Sequence, residues 1–350
     1  MRLSCAAIIM LVLLSPLAYP DDLAIKLHKA VVGKVDRPYL GIFLVAQGDK
    51  IIYEKVHGNF GNPKINNQFI LGSISKQFAS TMILRFVDEG KIDLDAPLKT
   101  YLPELADDWA SIVTVRHLLS HRSGIVALGQ PLEFLPGSQT KYVKVLPYYL
   151  ISKIIERISG KDYEISLNEL FLLASMTESG MVISETLAGN RKKYPNIPRA
   201  FDQDDYTGKI SELKIIEPYA QRYCPCCGVI STARDLLNWN RALHTGKLMS
   251  ANAYQQMITP YGSFGHHAYV EVSYGLGLQL IDKDGFLEIN HHGYGAGLIS
   301  SIFYYPKSEI TIIALENVTH SWKGDRMRIF HNHDSLRAVV REHITESNKT

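Results

Sequence analysis

The pattern of hydrophobic and polar positions along the chain predicts strands first and helices second. Apolar runs over 39–46 and 51–56 flank a polar turn, which predicts a β-hairpin. Helical spacing follows over 73–89 and 148–159, and a glycine stops each of these segments. The first part of the chain is therefore expected to supply one hairpin and then a region rich in helices and loops.

Strand patterns return in the last third of the chain, after a segment at Ser231–Asp235 that is typical of a helix cap. They cover 274–281, 286–290, 298–305 and 310–316. Tight turns between them imply antiparallel pairing. Strands at both chain ends around a helical middle predict an α+β fold, in which an antiparallel sheet built from both ends is flanked by helices and carries an inserted helical lobe.

The first 20 residues are typical of a signal peptide. Arg2 precedes an apolar run over 5–14 that is too short to cross a bilayer comfortably, and the run closes near Ala18. Export to the periplasm or out of the cell is expected, with an uncleaved anchor as the alternative. No later apolar stretch is long enough for a membrane span. The mature chain is predicted to be one domain over 21–350, with a sheet lobe at about 21–72 and 225–350 and a helical lobe at about 73–224.

Composition and charge narrow the class of partner. The 350 residues carry a net charge of +2, and 46% are hydrophobic, which is ordinary for a globular enzyme or binding protein and gives no sign of nucleic-acid binding. Beyond the signal segment there are three cysteines, Cys224, Cys226 and Cys227. They favour a local disulfide or thiols over zinc, because a zinc site needs a fourth ligand and none is nearby in sequence. Their oxidation state stays open, as does the oligomeric state.

A Ser-x-x-Lys tetrad at Ser73–Lys76 is the main candidate for chemistry. A serine hydroxyl becomes a nucleophile when a base takes its proton. Residues three apart share a helix face, so Lys76 is expected under Ser73. The positive end of the predicted helix favours developing negative charge, and its field also favours a neutral lysine amine that can act as the base.

The residues around the tetrad extend the pattern. They are Asn67–Phe78, Ile83–Pro97, Tyr101–Glu104 and Val115–Gly124. Together they resemble the serine β-lactamase and penicillin-binding protein superfamily, in the branch of class C β-lactamases, DD-peptidases and related esterases. The resemblance runs with gaps from about Gly41 to about Val318. It implies the same α+β architecture, with an active site between the lobes.

The resemblance implies a tyrosine a few residues after a Pro-Gly pair, in the pattern Tyr-x-Asn. Tyr142 has the required spacing and would relay a proton between Ser73, Lys76 and the leaving group. Lys144 stands where the relatives have asparagine. Because an ammonium accepts no hydrogen bond, Lys144 is a poor replacement for amide recognition and would instead pair with a substrate carboxylate or point to solvent.

The third element that the resemblance implies is a His-x-Gly strand in place of the Lys-Thr-Gly of β-lactamases. His291, His292 and Gly293 fit that form. His291 would bind substrate or help to move protons, and His292 should point to the opposite face of the strand. Gly293 would allow close backbone approach, and the N–H of Tyr294 would join that of Ser73 as an oxyanion hole.

Two pairs of histidines are candidate metal ligands by residue type. His117 and His121 are four apart and would share a helix face, but the Glu of His-Glu-x-x-His is absent. In the resembling family this segment is structural. His291 and His292 have no third ligand at a convincing spacing. No metal and no organic cofactor is therefore expected.

These patterns predict an exported serine hydrolase that forms an acyl-enzyme on Ser73. Its small-molecule or peptide substrate would be a D-amino acid peptide, an ester or a β-lactam, and His291 and Lys144 argue against an efficient β-lactamase. The alternative is a binding or sensing protein that keeps the fold and has lost turnover. The position of the Lys76 amine and the Tyr142 hydroxyl relative to Ser73 separates the two.

Overall fold

A sheet of eight antiparallel strands, in the order β2-β1-β13-β12-β11-β10-β9-β8, forms the centre of the protein. The computed structural model describes residues 22–32, 39–58, 63–204, 207–214, 224–266, 269–283, 285–295, 297–321 and 329–347. The predicted signal peptide at 1–20 lies outside this part of the chain. The expected α+β fold with an antiparallel sheet from both chain ends is confirmed.

The strands of the central sheet come from the two ends of the chain. They are β1 (Gly41–Gln47), β2 (Lys50–His57), β8 (Gly262–His266), β9 (Tyr269–Tyr274), β10 (Gln279–Lys283), β11 (Phe286–Gly295), β12 (Leu298–Tyr305) and β13 (Ile310–Glu316). Two small sheets hold the remaining strands, β3 (Phe69–Ile70), β4 (Gly180–Met181), β5 (Ala200–Asp204), β6 (Ile210–Leu213), β7 (Val229–Ser231) and β14 (Val318–Ser321).

Helices pack on both faces of the central sheet. They are α1 (Asp22–Val32), α2 (Lys76–Asp88), α3 (Leu98–Tyr101), α4 (Val115–Leu119), α5 (Leu146–Ser159), α6 (Tyr163–Leu173), α7 (Leu187–Arg191), α8 (Cys224–Cys227), α9 (Ala233–His244), α10 (Ala251–Met257) and α11 (His331–Ser347). Strand β1 shows the two layers, because Ile42 and Leu44 join the core shared with the helical lobe, whereas Phe43 and Val45 join a second core with α1 and α11. In the described part of the chain, no helix combines the length and the apolar character that a membrane crossing requires.

The predicted N-terminal hairpin is confirmed, since β1 pairs with β2 in antiparallel register. The predicted strand at 274–281 is wrong. Strand β9 ends at Tyr274 and β10 begins at Gln279, and these two residues face each other across a hairpin. The intervening turn needs Gly277, because its φ of +83° favours glycine and a Cβ there would lie 2.2 Å from Ser80 Oγ of α2. The apolar residues between the strands thus pack on the helical lobe rather than extending a strand.

Two helix starts also differ from the prediction. The segment predicted as one helix from residue 73 opens with a 3-10 turn at Gly72–Ser75, and α2 begins at Lys76. Helix α5 begins at Leu146, two residues before the predicted start, because Pro147 fits the first turn of a helix. The predicted stop at Gly160 is confirmed by its left-handed conformation, and the cap at Ser231–Asp235 by the Thr232 hydroxyl, which accepts from the Asp235 N–H.

Acid is expected to destabilise the fold partly through His244. This ring stacks on Tyr304 with centroids 4.1 Å apart and bonds the Tyr254 hydroxyl at 2.6 Å. Burial lowers the pKa of His244 to about 3. The unfolded chain takes up this proton below about pH 6.5 and the folded chain does not, so the stability present above that pH is lost as the pH falls toward 3.

Denaturant unfolding at pH 7 and pH 5 tests this effect. The His244 share of the loss is about 2 kcal/mol. The His244→Gln variant, which keeps a polar side chain without the titration, should lose about that much less than the parent between the two pH values. Equal losses in both proteins would contradict the assignment.

Candidate active site

Ser73 and Lys76 meet at the junction of the 3-10 turn and α2. Ser73 is half-buried, and Lys76 is fully buried beneath it. The Lys76 Nζ donates to Ser73 Oγ at 2.9 Å and to the carbonyl oxygen of Cys226 at 3.0 Å. The serine hydroxyl is thus accessible from solvent, while its cationic partner lies in the interior.

The charge state of Lys76 differs from the expected neutral amine. Burial alone lowers the pKa of Lys76, but the charges of Tyr142, Cys226 and Cys227, in that order, raise it by more, and a hydrogen bond with Tyr142 adds to the effect. The net result is a pKa above the ordinary value. Tyr142 and the cysteine region therefore outweigh burial and the field of the short 3-10 turn, and the raised pKa favours the ammonium form of Lys76.

Tyr142 faces Lys76 from a loop of the helical lobe. The Lys76 Nζ lies 5.2 Å from the centroid of the Tyr142 ring, within the range of a cation–π contact. The loop is fastened at its base, because the Gly137 N–H donates to Arg122 at 2.9 Å and the Lys141 N–H donates to His121 at 3.0 Å. The Tyr142 ring therefore lies beside the Lys76 ammonium, and a proton relay through its hydroxyl stays a prediction.

Lys144, two residues later, is exposed. Its side chain is at the surface of the loop that carries Tyr142, and a role with a substrate carboxylate stays a prediction. It is one of two exposed lysines there, and the other, Lys141, already pairs with Glu133 at 2.6 Å.

A second tyrosine lies beside the same ammonium. The Tyr148 ring centroid is 5.3 Å from Lys76 Nζ, and its hydroxyl donates to the Leu119 carbonyl at 3.2 Å and lies 3.3 Å from Ser80 Oγ. Burial raises the pKa of Tyr148 to about 12, so it stays a neutral phenol. The Tyr142 and Tyr148 rings thus give the buried ammonium two aromatic neighbours.

The strand predicted to supply the oxyanion hole runs against the serine turn. A Cβ on Gly72, at φ +54°, would lie 2.9 Å from the Tyr294 nitrogen. A Cβ on Gly293 would lie 1.8 Å from the Leu71 carbonyl oxygen and 2.4 Å from Ser300 Oγ. Both positions need glycine for this close approach, which places the Tyr294 amide next to the residue preceding Ser73. The close contact at Gly293 is thus with the protein's own backbone.

His291 and His292 take different neighbours, as adjacent strand residues should. His291 is buried, its Nε2 lies 3.0 Å from the Tyr274 hydroxyl, and its Nδ1 lies 2.8 Å from the His292 carbonyl oxygen. A carbonyl only accepts, so the His291 Nδ1 carries a hydrogen and donates to His292. The Nδ1 of His292 lies 2.7 Å from Ser301 Oγ instead. Substrate binding or proton transfer by His291 stays a prediction.

The expectation that His117 and His121 share a helix face is wrong. Helix α4 ends at Leu119, and His121 lies beyond it in the left-handed conformation with φ +57°. His117 closes the N-terminal cap of α4 with Thr114. His121 instead turns inward, where its ring centroid is 4.3 Å from that of Tyr142.

The cysteines reach the site from α8. Cys226 and Cys227 are buried, and their sulfur atoms lie 2.6 Å apart. A hydrogen bond with Cys227 lowers the pKa of Cys226, burial opposes this, and the Lys76 charge lowers it further. Within the described ranges, no group of three or more His, Cys, Asp or Glu side chains is placed to hold a metal ion.

Comparison with known proteins identifies a matching family, related sequences and a similar fold. Residues 31–334 match the profile of the protein family described as Beta-lactamase. A Bacillus subtilis (strain 168) protein named penicillin-binding protein PbpX is 24% identical over 274 residues, which cover 73% of this chain and 63% of that protein. Esterase EstB of Burkholderia gladioli is 27% identical over 187 residues, which cover 41% of this chain and 47% of the esterase. The matched part is thus less than two thirds of either relative.

A solved structure has a similar fold. The D-amino acid amidase of Ochrobactrum anthropi SV3 superposes with a TM-score of 0.77 at 19% identity, covering 92% of this chain and 99% of the amidase. This likeness concerns the fold.

Sequence reasoning missed three groups around Lys76. They are the Cys226 carbonyl, the inward ring of His121, and the pair of buried tyrosines Tyr148 and Tyr274. The sequence does not show which backbone carbonyl will accept from a given side chain, and tyrosines are common core residues. His121 stood inside a motif that was interpreted as structural, so only its backbone conformation could reveal its direction.

Replacing Gly293 by alanine is expected to disrupt the approach of β11 to the serine turn. The added methyl group overlaps backbone at Leu71, which a rotamer change cannot relieve, so a loss of about 1–3 kcal/mol or more is expected. Thermal unfolding measures it. Gly246→Asn is the matched control, because Gly246 has open space around its Cβ position and asparagine tolerates its left-handed φ. An unchanged melting temperature for Gly293→Ala would contradict the close approach.

Proposed function

Because the chain belongs to the Beta-lactamase family of serine hydrolases, we propose that it hydrolyses amide or ester bonds through an acyl-enzyme on Ser73. The observation that carries the proposal is the 2.9 Å contact between Lys76 Nζ and the half-buried Ser73 hydroxyl, with Tyr142 directed at the same ammonium. A nucleophile, a proton carrier and a fixed cation are thus within one small volume.

Lys76 and Tyr142 would act as one unit that shares a proton. As an ammonium, Lys76 cannot accept the Ser73 proton. Tyr142 would accept it in the form of the pair in which Lys76 is protonated and the Tyr142 oxygen is not. Ser73 Oγ then forms a bond to the substrate carbonyl carbon while its proton passes to Tyr142. Tyr142 returns the proton to the leaving group as the acyl-enzyme forms, and water later releases the acid by the reverse route.

The oxyanion of the tetrahedral intermediate would be held by backbone donors. The candidates are the N–H of Ser73 and the N–H of Tyr294, which the glycines at 72 and 293 bring together. Gly293 and Tyr294 would thus act through the backbone, and the half-exposed Tyr294 ring would line the entrance. His291 would support the site from beneath through its bond with Tyr274.

The substrate class follows from what replaces the β-lactamase groups. His291 and Lys144 stand where efficient β-lactamases have lysine and asparagine, which favours a peptidase-like or esterase-like activity. The names of relatives, an esterase and a D-amino acid amidase, point the same way. We include export in the proposal, on the strength of the 1–20 segment and the penicillin-binding relatives.

The rival reading is a binding protein without turnover, which is favoured if the Tyr142 hydroxyl points away from Ser73. The Lys76 amine reaches Ser73 Oγ at 2.9 Å, and the Tyr142 ring lies 5.2 Å from that amine, which supports the hydrolase. What still favours the rival is Lys144 in the asparagine position, and the experiments below separate the two.

Intact-mass labelling of the purified protein with a fluorophosphonate, and separately with a penicillin, tests the nucleophile. One adduct is expected, absent in Ser73→Ala and retained in the control Ser138→Ala, an exposed serine in the segment before Tyr142. Lys76→Ala should slow labelling by about 10²–10⁴-fold, the usual range for lost proton transfer, because Tyr142 would lose the ammonium that lets it accept the Ser73 proton. Folded protein that gives no adduct with either reagent would reject the hydrolase in favour of the binding protein.

The role of Lys144 is tested with two matched substrates, a D-alanyl peptide with a free C-terminal carboxylate and its C-terminal amide. If Lys144 pairs with the carboxylate, Lys144→Asn should lower kcat/KM about two- to fivefold for the acid alone, the value of one exposed ion pair. Lys141→Asn, on the same loop, should leave both values unchanged, since Lys141 already pairs with Glu133. Equal effects of Lys144→Asn on both peptides would exclude carboxylate pairing.

A further inference from the structure

The turn that follows α4 holds His121 in a conformation that few side chains adopt. Its φ is +57°, one of three positive values among the non-glycine residues that the structure describes. Tolerating such a conformation at a large side chain is a frequent mark of a functional position. Here the conformation directs the imidazole toward the Tyr142 ring and the backbone carbonyl toward the Lys141 N–H.

The carbonyl and the ring of His121 both reach the loop of Tyr142. The carbonyl accepts from the Lys141 N–H at 3.0 Å, so the residue next to Tyr142 is fixed by the main chain. The ring lies tilted against Tyr142, with centroids 4.3 Å apart, and edge-on to Tyr274 at 4.8 Å. His121 therefore fills the space between the proposed proton carrier and the tyrosine that bonds His291.

The His121 imidazole is a polar group that is almost fully buried. His121 is 1% exposed, and among the described residues neither ring nitrogen has a hydrogen-bond partner. Burial lowers the pKa of His121 well below its ordinary value, and the electrostatic interactions with Lys76 and then His291 lower it further, so the ring is neutral. Apolar packing alone would be met better by phenylalanine or leucine, since an unsatisfied buried polar atom is destabilising. The nitrogens are available for a water molecule or a polar atom of bound substrate.

We propose that His121 is a positioning residue of the Ser73 site, which holds the Tyr142 ring against the Lys76 ammonium through its ring contact and its carbonyl. The inference rests on the proposed function for its catalytic consequence and on the structure for its geometry.

A double-mutant cycle with Tyr142 tests the proposal. Four proteins are compared, the parent, His121→Phe, Tyr142→Phe and the double variant, by the second-order rate of Ser73 labelling with a fluorophosphonate. His121→Phe should slow labelling at least about tenfold in the parent, and less than about twofold when Tyr142 is already phenylalanine, because residues that act through one another are not additive. The same tenfold loss in both backgrounds would overturn the proposal.

A spectroscopic measurement keeps the test independent of activity and of one variant's folding. With 3-fluorotyrosine incorporated, the ¹⁹F signal of Tyr142, assigned by its absence in Tyr142→Phe, should shift in both His121→Phe and His121→Asn; asparagine tolerates positive φ and so preserves the turn. His244→Phe is the control, a half-buried histidine whose ring contacts are with Tyr254 and Tyr304, and it should leave the signal in place.

The outcomes are distinct. An unmoved Tyr142 signal in a folded His121 variant would overturn the positioning role, whatever the labelling shows. A shifted signal in a protein whose parent form gives no adduct would support the positioning of Tyr142 and reject the hydrolase function.

Discussion

The buried ammonium of Lys76 is the interaction on which the rest of the site depends. A buried charge is strongly unfavourable unless hydrogen bonds and opposite charge compensate for it. Lys76 has the Ser73 hydroxyl at 2.9 Å, the Cys226 carbonyl at 3.0 Å and two tyrosine rings just over 5 Å away. These groups come from the serine turn, α8, the Tyr142 loop and α5. The site therefore forms only where these four segments meet, because the buried Lys76 charge is unfavourable in any other arrangement.

The sheet supplies the rigidity that this arrangement needs. Strand β11 lies between β10 and β12, and it approaches the serine turn so closely that Gly72 and Gly293 leave no space for a side chain. The Ser300 hydroxyl on β12 also donates to the Leu71 carbonyl at 2.7 Å. The nucleophile is thus anchored to the centre of the sheet, and the helical lobe contributes Tyr142 from the other side.

Features that depend on neighbouring residues could be predicted from the sequence, and features that depend on long-range contacts could not. The contact of Ser73 with Lys76 follows from their spacing, and the N-terminal hairpin from its two apolar runs and turn. The pairing of Tyr274 with Gln279 was missed because the turn is apolar where it packs on α2, so the pattern looked like one continuous strand. The charge of Lys76 was misjudged because Cys226 is 150 residues away in sequence. His121 was assigned to a helix face because spacing says nothing about a left-handed residue beyond the helix end.

The account claims above all that Lys76 is an ammonium at neutral pH in the resting protein, and direct titration of its side chain is the sharpest test. NMR of ¹⁵N-lysine-labelled protein, with the Lys76 signal assigned by its loss in Lys76→Arg, follows the Nζ shift with pH. The account predicts a single charged form from neutral pH upward to beyond the ordinary lysine pKa of about 10.4, as the interactions with Tyr142 and the Cys226 region require. A Lys76 amine that is already neutral at pH 7 would contradict it and would return the role of base to the lysine.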